Sequence, residues 1–196
     1  MTWEELADAI SICQNCSLCK GRTNTVLGEG NRKSPLMFVG EGPGEQEDLS
    51  GRPFVGAAGQ YLDRMLASIG IKREAVYICN VVKCRPPENR TPTREEQEKC
   101  RIYLDAQFEL VNPQVIVCLG STPARALIHP DIRITKARGM WHLKRGIYIM
   151  PTYHPAAILY DPTKEQASLY DISVVREKLR ELRIYDQLSM GTEGNA

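Results

Sequence analysis

Hydrophobic positions along the chain alternate between two rhythms. Trp3, Leu6 and Ile10 recur at helical spacing over residues 2–12, and Thr2 followed three residues later by Glu5 forms a capping box, so the chain is expected to open on a short helix. Residues 36–39 are a compact apolar run that stops at Gly40-Glu41-Gly42-Pro43-Gly44, the pattern of a buried strand feeding a turn. Helical spacing returns at Tyr61, Leu62, Met65, Leu66 and Ile69, with Gly70 placed to end the helix. Residues 76–82 predict a second strand. Residues 93–111 predict a long helix after a Pro-rich loop, with Glu95, Glu96 and Glu98 near its positive end. A third strand is expected over 115–119, with Gly120-Ser121 leading into a helix over 122–128. A fourth covers 147–150 and runs into Pro151-Thr152-Tyr153-His154-Pro155. An amphipathic helix is expected over 166–183, and residues 189–196 read as a frayed tail.

Near-continuous apolar strands alternating with helices predict a sheet buried on both faces. The expected architecture is therefore a single α/β domain over residues 1–196, a three-layer α/β/α sandwich around a central, mainly parallel four-stranded sheet. Ligands in such sheets bind beyond the carboxyl ends of the strands. That rule gathers Gly40, Glu41, Gly42, Asn80, Gly120, Ser121 and His154 around one crevice.

Composition excludes several classes. With 42% hydrophobic and 25% charged residues, the chain has globular rather than disordered composition. No run approaches the ~18 apolar residues of a membrane span. The acidic start, with Glu4, Glu5 and Asp8, lacks the pattern of a secretory signal, so a cytoplasmic protein without membrane association is expected. The net charge of +1 does not by itself point to a polyanionic partner. Basic residues nevertheless crowd two short stretches, Lys83, Arg85, Arg90 and Arg94 in one and Lys136, Arg138, His142, Lys144 and Arg145 in the other. On charge alone these are equally two solvated faces.

Seven cysteines in a reducing compartment argue against a disulfide framework and toward metal or cluster ligation. Cys13, Cys16 and Cys19 form overlapping CxxC pairs, and Cys84 and Cys100 complete a candidate tetrad. Spacing alone does not separate zinc from an iron–sulfur cluster. Cys79 and Cys118 fall inside expected strands and read as core.

Taken singly, the glycine-rich turn, Asn80 and His154 all have ordinary structural explanations. In order along the chain, GEGPGEQED, GRPFVGAAGQYLDRML, YICNVVKCRPPENRTP and PTYHPAAIL together resemble the family 4 uracil-DNA glycosylases, the iron–sulfur members of their superfamily. The resemblance runs from about Cys13 to the last helix. It implies a monofunctional hydrolase of base excision repair that cleaves the N-glycosidic bond of deoxyuridine in single- or double-stranded DNA, acting as a monomer. It also implies a [4Fe–4S] cluster on Cys13, Cys16, Cys84 and Cys100, with Cys19 a neighbour. Register on Gly21-Arg22-Thr23 favours the pair Cys13 and Cys16, although spacing also permits Cys16 with Cys19.

For the site, the resemblance implies that Phe54 stacks on the base and Asn80 reads its edge. Gly40, Glu41 and Gly42 lie beside base and sugar, Glu47 crowds uracil C5, and His154 faces the departing base. Glu41 is the expected water-side group, and Ile158 and Leu159 are candidates for a wedge into the DNA stack. An alternative is a protein that captures uracil-DNA without turnover. The covalently trapping relatives carry a histidine-containing loop, and between Cys84 and Cys100 this chain has no histidine. A redox or zinc protein unrelated to DNA is the remaining alternative.

Overall fold

A computed structural model of the protein describes residues 1–189. The expected tail over 189–196 lies outside the described residues except for Ser189. In chain order the elements are α1 (Trp3–Ser11), β1 (Glu29–Gly30), β2 (Leu36–Gly40), α2 (Glu45–Ser50), α3 (Ala57–Ser68), β3 (Tyr77–Asn80), α4 (Arg94–Val111) and β4 (Val115–Leu119). These are followed by α5 (Ser121–Leu127), α6 (Ile134–Ala137), β5 (His142–Lys144), β6 (Ile147–Thr152), α7 (Pro155–Tyr160), α8 (Glu165–Glu181) and α9 (Tyr185–Ser189). The capping box of Thr2 and Glu5 opens α1, and a second, Thr93 with Glu96, opens α4.

Among the described residues the sheet has six strands in the order β1-β3-β2-β4-β6-β5, not the expected four. The four anticipated strands form its parallel centre, while β1 and β5 each add an antiparallel edge. Both edges escape sequence reading for a physical reason. β1 is two residues long, and Leu143 and Lys144 of β5 are exposed, so neither presents buried alternation.

Each central strand divides its side chains between two cores. Leu36, Phe38, Ile78, Val115 and Val117 meet Leu62, Met65, Ile172 and Val175 from α3 and α8. Met37, Val39, Cys79, Ile116 and Cys118 face the other way, onto Leu6, Ile10, Leu104 and Ala124 from α1, α4 and α5. Period-two alternation thus builds three layers. β2 is flanked by β3 on one side and β4 on the other, so the order reverses between β2 and β4. At such a switch point the loops leaving adjacent strands diverge and open a crevice at their carboxyl ends.

Candidate active site

At the carboxyl ends of β2, β3, β4 and β6 lies an open cleft of about 500 Å³. Six of the seven non-cysteine site residues anticipated above line it: Glu41, Gly42, Glu47, Phe54, Asn80 and His154. Gly40 lies against its wall. A Cβ on Gly40 would sit 2.4 Å from Asn80 Oδ1 and 2.5 Å from the Phe54 ring, so a bare backbone is what allows the amide and the aromatic to approach each other.

Phe54 is held in an unfavourable backbone state, with φ of 52°, at a cost of about 1–3 kcal/mol. Its surroundings compensate. Glu47 Oε1 accepts from the Val55 and Gly56 amides, both at 2.9 Å, while Oε2 accepts from the Gly44 amide at 3.1 Å. Arg73 donates to the Pro53 carbonyl at 2.5 Å. On the far side α3 comes so close that a Cβ on Gly59 would lie 1.7 Å from the Phe54 carbonyl oxygen. The ring is therefore fixed before any ligand arrives. It faces the His154 ring at a centroid distance of 5.7 Å and an interplanar angle of 30°.

Asn80 ends β3, in register with Gly40, and is only 2% exposed. Its Oδ1 is buried without a hydrogen-bond partner. Most buried acceptors are satisfied, and leaving one empty costs about 1–3 kcal/mol. Its orientation beside the Phe54 ring makes it an acceptor for a ligand donor.

His154 Nδ1 accepts from the Ala156 amide at 3.1 Å, capping α7. The ring proton must then reside on Nε2. Burial lowers the imidazolium pKa from 6.5 to about 4, so the ring is neutral at neutral pH, with Glu47 opposing that shift only in part. Because the folded value lies below the unfolded one, protonation works against the fold. The corresponding stability is complete above pH 6.5 and is lost as pH falls toward 4. We expect the unfolding free energy of His154→Asn, which keeps an acceptor for Ala156, to fall by about 3 kcal/mol less than that of the native chain between neutral pH and pH ~4. Parallel urea titrations at both pH values check this, and equal falls for the two proteins would refute it.

Glu41 follows β2, and its Oε2 accepts a hydrogen bond from the Thr122 hydroxyl. Thr122 and Ser121 start α5 and line the cleft; sequence reading treated Thr122 only as a helix start. Behind β6, buried Asp171 accepts from Thr152 at 2.7 Å and from Arg138 at 2.7 Å, which steadies the segment leading to His154.

The two basic stretches persist only in part at the surface, where Lys136, Lys144 and Arg145 stay exposed. Lys83 is buried, Arg138 is paired with Asp171, and Arg94 with Glu98. Arg90, from the first stretch, and exposed Arg125 line the cleft. The loop bearing Arg90 is strained at Glu88 and Asn89, with φ of 54° and 55°. Arg90 donates to both oxygens of Glu96 at 2.7 and 2.8 Å, and Glu96 also accepts from Ser17 in the cysteine loop at 2.9 Å. These bonds, the Arg90 guanidinium foremost, hold the Glu96 carboxyl down at about 2. Ile158 is 3% exposed and packed in the core, so it does not reach DNA as a wedge; exposed Leu159 and Tyr160, the latter 93% exposed, lie beside it on α7.

Cys13, Cys16, Cys19, Cys84 and Cys100 surround one small cavity between α1, α4 and the loop after β3. Cys84 has Cys13 and Cys16 as charge neighbours, Cys100 has Cys84 and Cys16, and Cys19 borders Cys16. Arg22 donates to Cys84 Sγ at 3.2 Å and to the Cys13 carbonyl at 2.8 Å. Burial raises the Cys100 thiol to about 11, so ligation there must displace a proton. Among the described residues no three Cys, His, Asp or Glu side chains are placed to hold a single metal ion. The donors around the cavity are all sulfur, the ligand type that iron–sulfur clusters use. Cys79 and Cys118 are buried in β3 and β4, away from this ring.

Residues 27–177 match the family described as the Uracil DNA glycosylase superfamily. A type-4 uracil-DNA glycosylase of Thermotoga maritima is 50% identical over 172 residues, covering 84% of this chain and 88% of that protein. Another from Archaeoglobus fulgidus is 46% identical over 182 residues, 89% of this chain and 92% of its own length. A third, from Sulfurisphaera tokodaii, is 44% identical over 183 residues, 89% of this chain and 83% of that protein.

Proposed function

The chain belongs to the uracil-DNA glycosylase superfamily, and on that footing we propose that it is a DNA repair enzyme, a single catalytic domain that hydrolyses the N-glycosidic bond of deoxyuridine and releases uracil. The observation that carries this reading is the unpartnered Asn80 Oδ1 beside a fixed aromatic ring.

A base inside a duplex is out of reach, so the nucleotide must be extruded into the cleft at a cost of a few kcal/mol. Stacking on Phe54 returns about 1–3 kcal/mol. Uracil N3–H fills the empty acceptor of Asn80, while the amide Nδ2 donates to O4; cytosine presents the reverse pattern. Glu47, tied by three backbone amides, cannot swing aside to admit the C5 methyl of thymine. Bond cleavage leaves negative charge on the base and positive character on the sugar. The Nε2–H of neutral His154 donates to uracil O2, and Glu41, oriented by Thr122, positions water on the sugar side. Arg90 and Arg125 supply phosphate contacts at the cleft rim.

Cys13, Cys16, Cys84 and Cys100 would hold a [4Fe–4S] cluster whose contribution is structural, binding the N-terminal loop to α4. Through Ser17, Glu96 and Arg90 that anchorage reaches the cleft rim.

A single-uracil oligonucleotide tests the proposal. Free uracil and an alkali-labile abasic site are expected over many turnovers, with the thymine counterpart left intact. Uncleaved strands after prolonged incubation, or uptake of uracil-DNA limited to one equivalent of protein, would refute it.

A further inference from the structure

Lys83 is the least exposed cation among the described residues, at 1%. Burying an ammonium costs several kcal/mol unless an opposite charge lies near. Its hydrogen-bond partners do not supply one. Nζ donates to the Asn80 backbone carbonyl at 2.6 Å and to Gln107 Oε1 at 2.5 Å, and both are neutral. Gln107 is locked in turn, donating through Nε2 to the Leu27 carbonyl at 2.6 Å and to the Tyr77 hydroxyl at 3.0 Å.

The opposite charge lies with the cysteines. Lys83 lines the same cavity as Cys13, Cys16, Cys84 and Cys100, and its backbone amide faces the Cys100 sulfur. Its positive charge also favours the ionised form of Cys100. A cysteine-ligated cluster is an anion, and Lys83, buried in the wall of the same cavity, is a cation that water does not screen. Arg22 approaches the same ring through Cys84.

We propose that Lys83 is a positioning residue joining the two sites: its ammonium is the internal counter-charge of the cysteine-ligated cluster and at the same time holds the carbonyl of Asn80. The inference rests on reading the cysteine ring as a cluster site. It has two consequences. Removing the charge makes electron uptake by the cluster less favourable, lowering its reduction potential. Freeing the Asn80 carbonyl loosens the amide that reads the base.

The test compares the iron-loaded native enzyme with Lys83→Met, which keeps chain length without charge, and Lys83→Arg, which keeps charge. Iron content, reduction potential by spin-resonance-monitored titration, and kcat and KM on a single-uracil oligonucleotide are measured. Lys83→Met should show a lower potential and about a tenfold loss in kcat/KM, while Lys83→Arg keeps the native potential. An unchanged potential or an unchanged kcat/KM in iron-loaded Lys83→Met overturns the proposal. Should Lys83→Met fail to retain iron, Lys83→Arg decides: iron retained at the native potential supports the counter-charge, and iron lost from both variants assigns Lys83 to packing and overturns it. A native enzyme purified without iron would instead refute the cluster reading itself, whatever its activity.

Discussion

Asn80→Ala is expected to lower kcat/KM for uracil excision about a hundredfold or more while leaving affinity for undamaged DNA unchanged. The substitution removes an acceptor and a donor from a nearly water-free wall, and each unmet buried hydrogen bond costs about 1–3 kcal/mol. Two such losses correspond to roughly two or more decades in rate. On the proposed reading, nonspecific affinity resides elsewhere, on Arg90 and Arg125, which line the cleft. The fold should tolerate the change, because the backbone of Asn80, with its Lys83 bond and its register opposite Gly40, is untouched. Steady-state kinetics on uracil-containing and uracil-free duplexes, with thermal unfolding as control, check this. Excision within a factor of three of native would remove Asn80 from base recognition.

The second large effect concerns the cysteine ring. Cys84→Ala should abolish the visible absorbance of the purified protein, reduce its iron content to background and lower Tm by roughly 10 °C, the equivalent of about 3–5 kcal/mol for a chain of this size. Cys84, on the loop after β3, lines the same cavity as Cys13 and Cys16 of the N-terminal segment, and it is also the sulfur that Arg22 grips. Its loss would leave both α1 and the start of α4 without a common anchor. Cys118→Ala, deep in β4, serves as comparison. It should cost packing energy alone and retain iron, and Cys19→Ala should retain iron as well. Full iron in Cys84→Ala would displace this residue from the ligand set.

Much of this arrangement could be read directly from the residues, for identifiable reasons. β2 and β4 are buried on both faces, so their apolar runs stand out without reference to neighbours. Asn80 lies inside the apolar run 76–82 and owes its assignment to the family resemblance; the strand in fact stops at it, at the carboxyl end where parallel sheets bind ligands. What resisted reading depends on partners far away in sequence. Lys83 looks like one of several basic residues in its stretch, yet it points inward because Gln107 and the Asn80 carbonyl receive it. Glu47 was legible as a site residue, but not as the clamp on Val55 and Gly56, since those bonds depend on a loop path that local propensity does not encode. Thr122 is hidden in an ordinary helix start until Glu41 is placed opposite it. Ile158 and Leu159 are adjacent and equally apolar, and only the turn of α7 sends one into the core and the other outward.

The short outer strands of the sheet have a consequence for how the molecule behaves in company. β1 offers only Glu29 and Gly30, and Glu29 is engaged by Arg52 and Arg73; β5 offers three residues ending in a lysine. Neither border presents a long, flat row of free amides and carbonyls for another polypeptide to extend. Sheet growth therefore stops in both directions, and copies of the protein crowded along one strand of DNA can be close neighbours without being drawn into fibrous aggregates.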